Sequence, residues 1–335
     1  MRKHVQSAFS RPEIGALVML VILGIVFELI PRVLEGQAWA FANKDNLANL
    51  LNVLPELGLM AIGVTLLLIA GEFDLSVGSV AALTPVLAFE MMNPGNHLFN
   101  LSLDPWVAMA IALVVATLLG LVTGHITLRY KIHSFVTTLG MLFIVRSLAV
   151  VITEGFPPTT PTNAPVHLSQ ANFLGIAAPL WLFIVISCLA AALLSKTNFG
   201  NWIYATGGDR ESTHCVGVKT TKVKIISFMI CSFLAGLSGL LVALRMATAT
   251  PSAGDGAELE ALAAAVIGGA SLQGGIGNVF GAIVGTSIIR SIDVGLIISR
   301  VDSNWFKFAV GSLLIVAVVF NTQIRQWARK MKIEV

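Results

Sequence analysis

The sequence predicts an all-α membrane protein, a polytopic bundle of about ten transmembrane helices. Three observations predict it. Hydrophobic residues make up 56% of the 335 and charged residues only 12%, against about 25% charge in a soluble globular chain. The mean hydropathy is +0.85. Apolar runs of bilayer-crossing length recur from end to end, separated by short polar or Gly/Pro-rich breaks that leave no room for a long soluble domain. The whole chain, 1–335, is therefore read as one transmembrane domain.

The expected spans are 13–31, 47–70, 75–92, 105–127, 134–154, 179–195, 224–245, 257–270, 277–294 and 305–321. Crossing the hydrocarbon takes about 20 helical residues, so 75–92 and 257–270 are expected to reach part-way or to tilt. The basic Met1-Arg2-Lys3-His4 before the apolar run Ile14 to Ile30 looks like a signal peptide. Pro31-Arg32-Val33-Leu34-Glu35 has no small-residue cleavage pattern, so an uncleaved first span is expected.

Lys and Arg orient the bundle, because cytoplasmic segments are enriched in them. With both termini inside, the cytoplasmic side carries Arg2, Lys3, Arg11, Arg129, Lys131, Lys196, Arg210, Lys219, Lys222, Lys224, Arg325, Arg329, Lys330 and Lys332, and the outer side only Arg32, Lys44 and Arg300. The outer (periplasmic) loop 155–178 has neither residue type, and its Phe156-Pro157-Pro158-Thr159-Thr160-Pro161 run reads as an extended connector. Ten spans divide into two halves of five, and an odd number per half places the halves in opposite orientations. Gly71-Glu72-Phe73-Asp74-Leu75-Ser76 after the second span and Gly254-Asp255-Gly256-Ala257-Glu258 after the seventh each form a Gly/acidic break opening a short alanine-rich helix. This is the sign of an inverted 5+5 repeat, although composition bias can produce the same match.

The tract 71–79 puts Glu72 and Asp74 into an apolar region, where a charge costs several kcal/mol unless it faces protein or water. One reading is a broken helix lining a solute path, with Glu56, Asp74, Ser76, Ser79 and Glu258 as candidates. The other is a tight cytoplasmic turn in which Asp74 or Ser76 caps the next helix. Small residues around Gly281 and Gly285 favour close helix packing. The cytoplasmic loop 195–224 holds Gly207-Gly208-Asp209-Arg210-Glu211-Ser212, and residues 209–216 are expected to form two turns of exposed helix, either a docking handle or a solvated connector.

Glu56 and Arg146 lie mid-span, and a structural pair between them is expected. Glu28, Arg245, Arg290 and Lys307 lie nearer span ends, where snorkelling explains them. Cys188, Cys215 and Cys231 have no pairing pattern or metal-ligand spacing, and neither His125 nor His133 suggests a metal. No G-x-x-x-x-G-K-[ST] occurs, since Gly217-Val218-Lys219-Thr220 has no glycine beside the lysine. The chain is not its own ATPase. No Ser/His pair, metal pair or carboxylate pair stands at catalytic spacing in the spans, so no catalytic residue, metal or cofactor is expected, and nothing points to nucleic acid.

Three tracts together resemble one family. Glu72-Phe73-Asp74-Leu75-Ser76-Val77-Gly78-Ser79 resembles the IDLSVGS motif of the ribose-type permeases of bacterial ABC importers, with Phe73 in place of isoleucine. The run from Gly207-Gly208 to Gly217 is similar to that family's coupling segment, with Asp209 for the commoner asparagine. Ala253 to Ala264, then Val266 to Leu272 and Gly274 to Gly277, are similar to its C-terminal stretch. The resemblance implies a subunit of the bacterial inner membrane that performs no chemistry itself. Its implied partners are a second permease subunit, identical or paralogous, a cytoplasmic ABC ATPase, a periplasmic sugar-binding protein and membrane lipid. Gly208, Asp209, Arg210, Glu211, Ser212 and Gly217 are the implied ATPase-coupling residues. Implied substrates are pentoses, hexoses, polyol-like compounds, autoinducer-2 and nucleosides. The alternative is an ion-coupled secondary transporter, for which Glu56 is the obvious intramembrane carboxylate.

Overall fold

The structure, a computed structural model, describes residues 12–35, 41–93, 101–158, 161–162, 164–173, 175–302 and 304–333. Arg2, Lys3, Arg11 and the Thr159-Thr160 pair lie outside the described residues, and the last helix is described as backbone alone from residue 320.

Each expected span has its helix: α1 (Pro12–Glu35), α2 (Lys44–Ile69), α3 (Val77–Met92), α4 (Pro105–Arg129), α5 (Ser134–Ile152), α7 (Ala178–Lys196), α10 (Thr220–Met246), α11 (Ala257–Ile267), α12 (Val279–Ile298) and α13 (Trp305–Ile333). Among the described residues six of these, α2, α4, α5, α7, α10 and α12, are long and apolar enough to cross a membrane. Gly15–Ile30, Val77–Met92 and Trp305–Val319 are shorter apolar helices. Between the spans lie α6 (His167–Gln170) and the helices α8 (Asn198–Gly208) and α9 (Arg210–Cys215). The loop 155–178 also contains regular structure beyond the Phe156 to Pro161 run. It folds through α6 into a small antiparallel hairpin, β1 (Asn172–Phe173) with β2 (Ile176–Ala177), held where Trp181 donates its indole N–H to the Phe173 carbonyl at 3.1 Å.

Local sequence sets the helix starts. Asp104 accepts from the Trp106 amide at 3.0 Å with Pro105 in the first turn of α4, and Asn278 accepts from the Gly281 amide at 2.6 Å at the start of α12. The other end of α2 is set by Gly71, whose φ of +80° turns the chain back.

The helix packing is reciprocal, as an inverted repeat requires. α10 packs on α4, α3 and α2, while α2 packs on α12, α11 and α10. α3 packs on α4 and α5, and α11 on α12 and α13. Exchanging α2 with α10, α3 with α11, α4 with α12 and α5 with α13 reproduces the same set of neighbours. The leading helices of the halves take different places, α1 against α12 and α7 against α2.

Small residues allow these contacts. Ala108, Ala112, Ala116, Gly120 and Gly124, each four residues apart, are buried along α4, and a side chain on Gly120 would strike the Phe228 carbonyl of α10 at 2.6 Å. Gly285 of α12 likewise presses on the Ala264 carbonyl of α11. Pro85, inside α3, supplies no N–H to the Ala81 carbonyl, and Gly239 of α10 packs its backbone against that carbonyl. We expect Gly239→Ala to destabilise the protein by about 1–3 kcal/mol, as overpacking does, while Gly24→Ala, which meets open space inside α1, stabilises it by up to about 1 kcal/mol. Thermal unfolding in detergent reads both.

Candidate functional site: two facing half-helices and their glycine mount

At 16 and 11 residues, α3 and α11 are about 24 and 16 Å long, each short of a hydrocarbon core of about 30 Å. Their N-terminal ends meet. A side chain on Gly78 would lie 2.6 Å from the Gly254 carbonyl, and one on Gly254 2.5 Å from the Gly78 carbonyl. The two breaks identified in the sequence are therefore in backbone contact, and the two short helices run away from that point. Helix N-termini carry unsatisfied N–H groups and partial positive charge. Carboxylates supply the complement. Glu258, 9% exposed, lies over Gly78 at the start of α3, and its Oε1 accepts from the Gly256 amide at 3.3 Å.

Arg146 of α5 ties the junction together. Its Nε donates to Ser79 Oγ at 3.2 Å, Ser79 Oγ donates to the Leu142 carbonyl at 2.9 Å, and the guanidinium pairs with Asp255 and stands 4.0 Å from Glu258. One cation thus spans both half-helices. Beside it opens a recess of about 480 Å³ lined by Arg146, Gly155, Thr250, Ser252 and Asp255, among others. The Asp255 side chain is 70% exposed there.

Asp74 is buried and acts as a cap. Its Oδ1 accepts from the Ser76 amide at 2.7 Å and the Ser76 hydroxyl at 2.6 Å, fixing the turn that opens α3. Ser76 occupies the N-cap position without a side-chain bond of its own to the helix.

Glu56 lies elsewhere. The expected pairing with Arg146 is wrong: Glu56 forms a two-point ion pair with Arg245, at the edge of a separate cavity of about 220 Å³ that also exposes Asn52, Ser169 and Asn172. The error has a physical cause. α2 turns this face toward α10, which carries Arg245, whereas α5, which carries Arg146, packs on α3. Arg245 therefore does not merely snorkel, and neither does Arg290, which stands near Glu260 and Asp293 at 3.8 and 3.7 Å. Glu28 accepts from the amides of Phe41 and Ala42, both at 3.0 Å.

The tract 207–217 folds as expected around Asp209, with an addition. α9 is capped by Asp209, which accepts from the Ser212 amide at 3.0 Å and the Ser212 hydroxyl at 2.6 Å. Arg210, Glu211 and Ser212 are exposed, and Gly217 closes the helix with φ +91°. These bonds hold the Asp209 carboxyl below the ordinary aspartate range. The cap is thus complete above the ordinary aspartate value and is lost as pH falls through the lowered one. The addition is α8, an eleven-residue helix within the segment expected to be loop. Gly207, at its end, packs on the Ile69 carbonyl at the end of α2 and on Gly274. The Gly275 amide donates to that same Ile69 carbonyl at 2.8 Å, and the Tyr204 hydroxyl donates to the Gly277 carbonyl at 2.7 Å.

The sequence that folds this way is similar to known proteins. Residues 46–319 match the family described as branched-chain amino acid transport system / permease component. The chain belongs to this permease family. It is 31% identical to the ribose import permease protein RbsC of Escherichia coli strain K12 over 326 residues, 96% of this chain and 97% of that one. It is 32% identical to RbsC of Bacillus subtilis strain 168 over 312 residues, covering 92% and 91%. To the autoinducer 2 import system permease protein LsrC of Photorhabdus luminescens it is 33% identical over 267 residues, covering 80% and 78%. No solved structure matches the chain. The resemblance to ribose-type permeases carried by the three tracts thus extends along nearly the whole permease, and the chain is a multi-pass membrane transport component.

Breaking a fully buried ion pair costs about 3–5 kcal/mol, and Arg245 is 38% exposed at its side chain. Glu56→Gln and Arg245→Met should each therefore cost roughly 2 kcal/mol. Exchanging the charges of residues 56 and 245 should recover part of the loss in a thermal-shift measurement, and exchanging those of 56 and 146 should recover none.

Proposed function

We propose that this chain is one of two permease subunits of an ABC importer and carries a small sugar or sugar-like solute into the cytoplasm. The observation that supports this most strongly is the near full-length similarity to permeases named for ribose and for autoinducer 2. It favours a polyhydroxylated solute over the branched-chain amino acids in the family's description. The recess beside the half-helix junction suits such a solute. Arg146 donates, Asp255 accepts, and Thr250 and Ser252 can do both.

The recess opens on a face where α5 also exposes Phe143 and Val150. An exposed carboxylate on an apolar membrane face is costly against lipid. A second permease subunit, a copy or a paralogue, relieves that cost by closing the path over Ser79, Arg146, Asp255 and Glu258. Asp74 and Ser76 then serve the path by shaping the start of α3. Glu56 holds α2 to α10. The Lys/Arg distribution supports a cytoplasmic side for both termini, and with them α9, at the inner membrane. There α9 docks on the partner ATPase, and a sugar-binding protein delivers solute from the periplasm. The ion-coupled alternative depended on Glu56, whose carboxylate is engaged by Arg245.

Proteoliposomes holding this permease, its ATPase and its binding protein should accumulate radiolabelled D-ribose only with ATP. Arg146→Met should reduce that uptake about tenfold or more, the scale of one lost charge-assisted hydrogen bond, with insertion of the chain checked by yield. Accumulation driven by a proton gradient without ATP, or uptake of leucine but no sugar, would contradict the reading.

A further inference from the structure

The glycine mount contains one ion pair that neither the path nor the coupling helix accounts for. Lys224, in the second turn of α10, donates from Nζ to Glu72 Oε1 at 2.7 Å, across 152 positions of sequence. The two side chains are only 7% and 13% exposed. Withdrawing two charges from water is unfavourable unless they find each other in good geometry, so the fold has placed them together at a definite point. That point is where three segments meet.

The three segments touch through glycines. Gly71 lies against Gly207, whose Cα would be 3.3 Å from a side chain at Gly71, and the Lys224 Nζ is 3.8 Å from the same position. A side chain at Gly274 would be 2.9 Å from the Cα of Gly71, and one at Gly275 would be 2.8 Å from the Cα of Gly208. Main chain rests on main chain, with no layer of side chains to absorb a displacement. Each segment leads to a moving part. Residues 70–76 lead from Gly71 into α3. The loop 268–278 leads back from Gly274 to the C-terminal end of α11. Asp209 alone separates Gly208 from α9. A push on α9 is therefore delivered at one place to both half-helices. Glycine contacts resist compression but give no lateral hold, and the Gly275 to Ile69 and Tyr204 to Gly277 hydrogen bonds tie the loop 268–278 to α2 and α8 without reaching residues 71–76. The Glu72–Lys224 pair supplies the missing restraint, tying the α2–α3 break to α10, the helix that follows α9.

We propose that Glu72 and Lys224 form a latch across this glycine junction, so that one movement of α9 displaces α3 and α11 together. Both are positioning residues, acting through the junction without touching solute. The inference rests on the reading of α9 as the ATPase contact.

The test uses the full importer in proteoliposomes, with Cys188, Cys215 and Cys231 of the permease replaced. A single reporter cysteine is placed at Ser79 on α3 or at Leu259 on α11, and labelling by N-ethylmaleimide is compared with and without ATP and vanadate. With the latch intact, trapping should change the labelling rate at both reporters. Glu72→Gln and Lys224→Met should each abolish the change at both. Lys224→Arg, which keeps the charge, and the exchange of Glu72→Lys with Lys224→Glu should restore it, an outcome that a mere folding defect in the single variants does not produce. Single variants that keep the nucleotide-dependent change at both reporters would overturn the latch while leaving the coupling reading standing. An intact-latch importer in which trapping alters neither reporter would overturn the coupling reading, and the latch with it.

Discussion

The contact between Gly78 and Gly254 is the constraint on which the rest of the structure depends. Two helices too short to cross the bilayer meet end to end at their N-termini, where unsatisfied backbone donors and positive partial charge accumulate. Without glycine at both positions the backbones could not approach, since a side chain at either would reach the carbonyl of the other. Without Glu258 and Asp255 the junction would be a concentration of positive charge, and without Arg146 those carboxylates would repel one another. The polar cluster is thus a consequence of placing two broken helices face to face in an apolar bundle.

That junction also makes sense of the reciprocal packing. A carrier built from two oppositely oriented halves presents the same surface to each side, and here α2 and α10 supply the central pair against which each half-helix packs. The functional regions lie at successive levels. The recess with Arg146 and Asp255 is beside the loop 155–178, the half-helix ends lie next to it, and the glycine mount joins the C-terminal ends of α2 and α11 to α8 and α9. Helix starts are capped locally, by Asp74 for the turn into α3 and by Asp209 for α9.

Much of this was readable in the sequence, and the failures share a cause. Hydropathy located every span because the bilayer imposes a length and a composition on each. The Gly/acidic breaks located the half-helices because glycine lets the chain turn and an adjacent carboxylate can accept from the freed amides, as Asp74 does from Ser76. Depth along a helix is readable in this way, but rotation about its axis is not. Glu56 and Arg146 are both mid-span and were matched on that ground, yet they face different neighbours. Arg245 and Lys224 sit near helix ends, where snorkelling explains any cation, and nothing in the sequence signals that each meets a carboxylate well over a hundred residues away. α8 was missed because its Asn198-Phe199-Gly200-Asn201 opening and its closing Gly207-Gly208 read as loop, whereas Thr197 caps it by accepting from the Gly200 amide at 3.1 Å.

The account depends most directly on the two breaks meeting inside the bundle. Cysteines at Ser79 and Asp255, in a chain otherwise free of cysteine and embedded in native membranes, can be probed with a short bis-methanethiosulfonate reagent. The account predicts an efficient intramolecular cross-link between them, seen as a shift in gel mobility that reductant reverses. Thiols that each react singly yet never cross-link would contradict it.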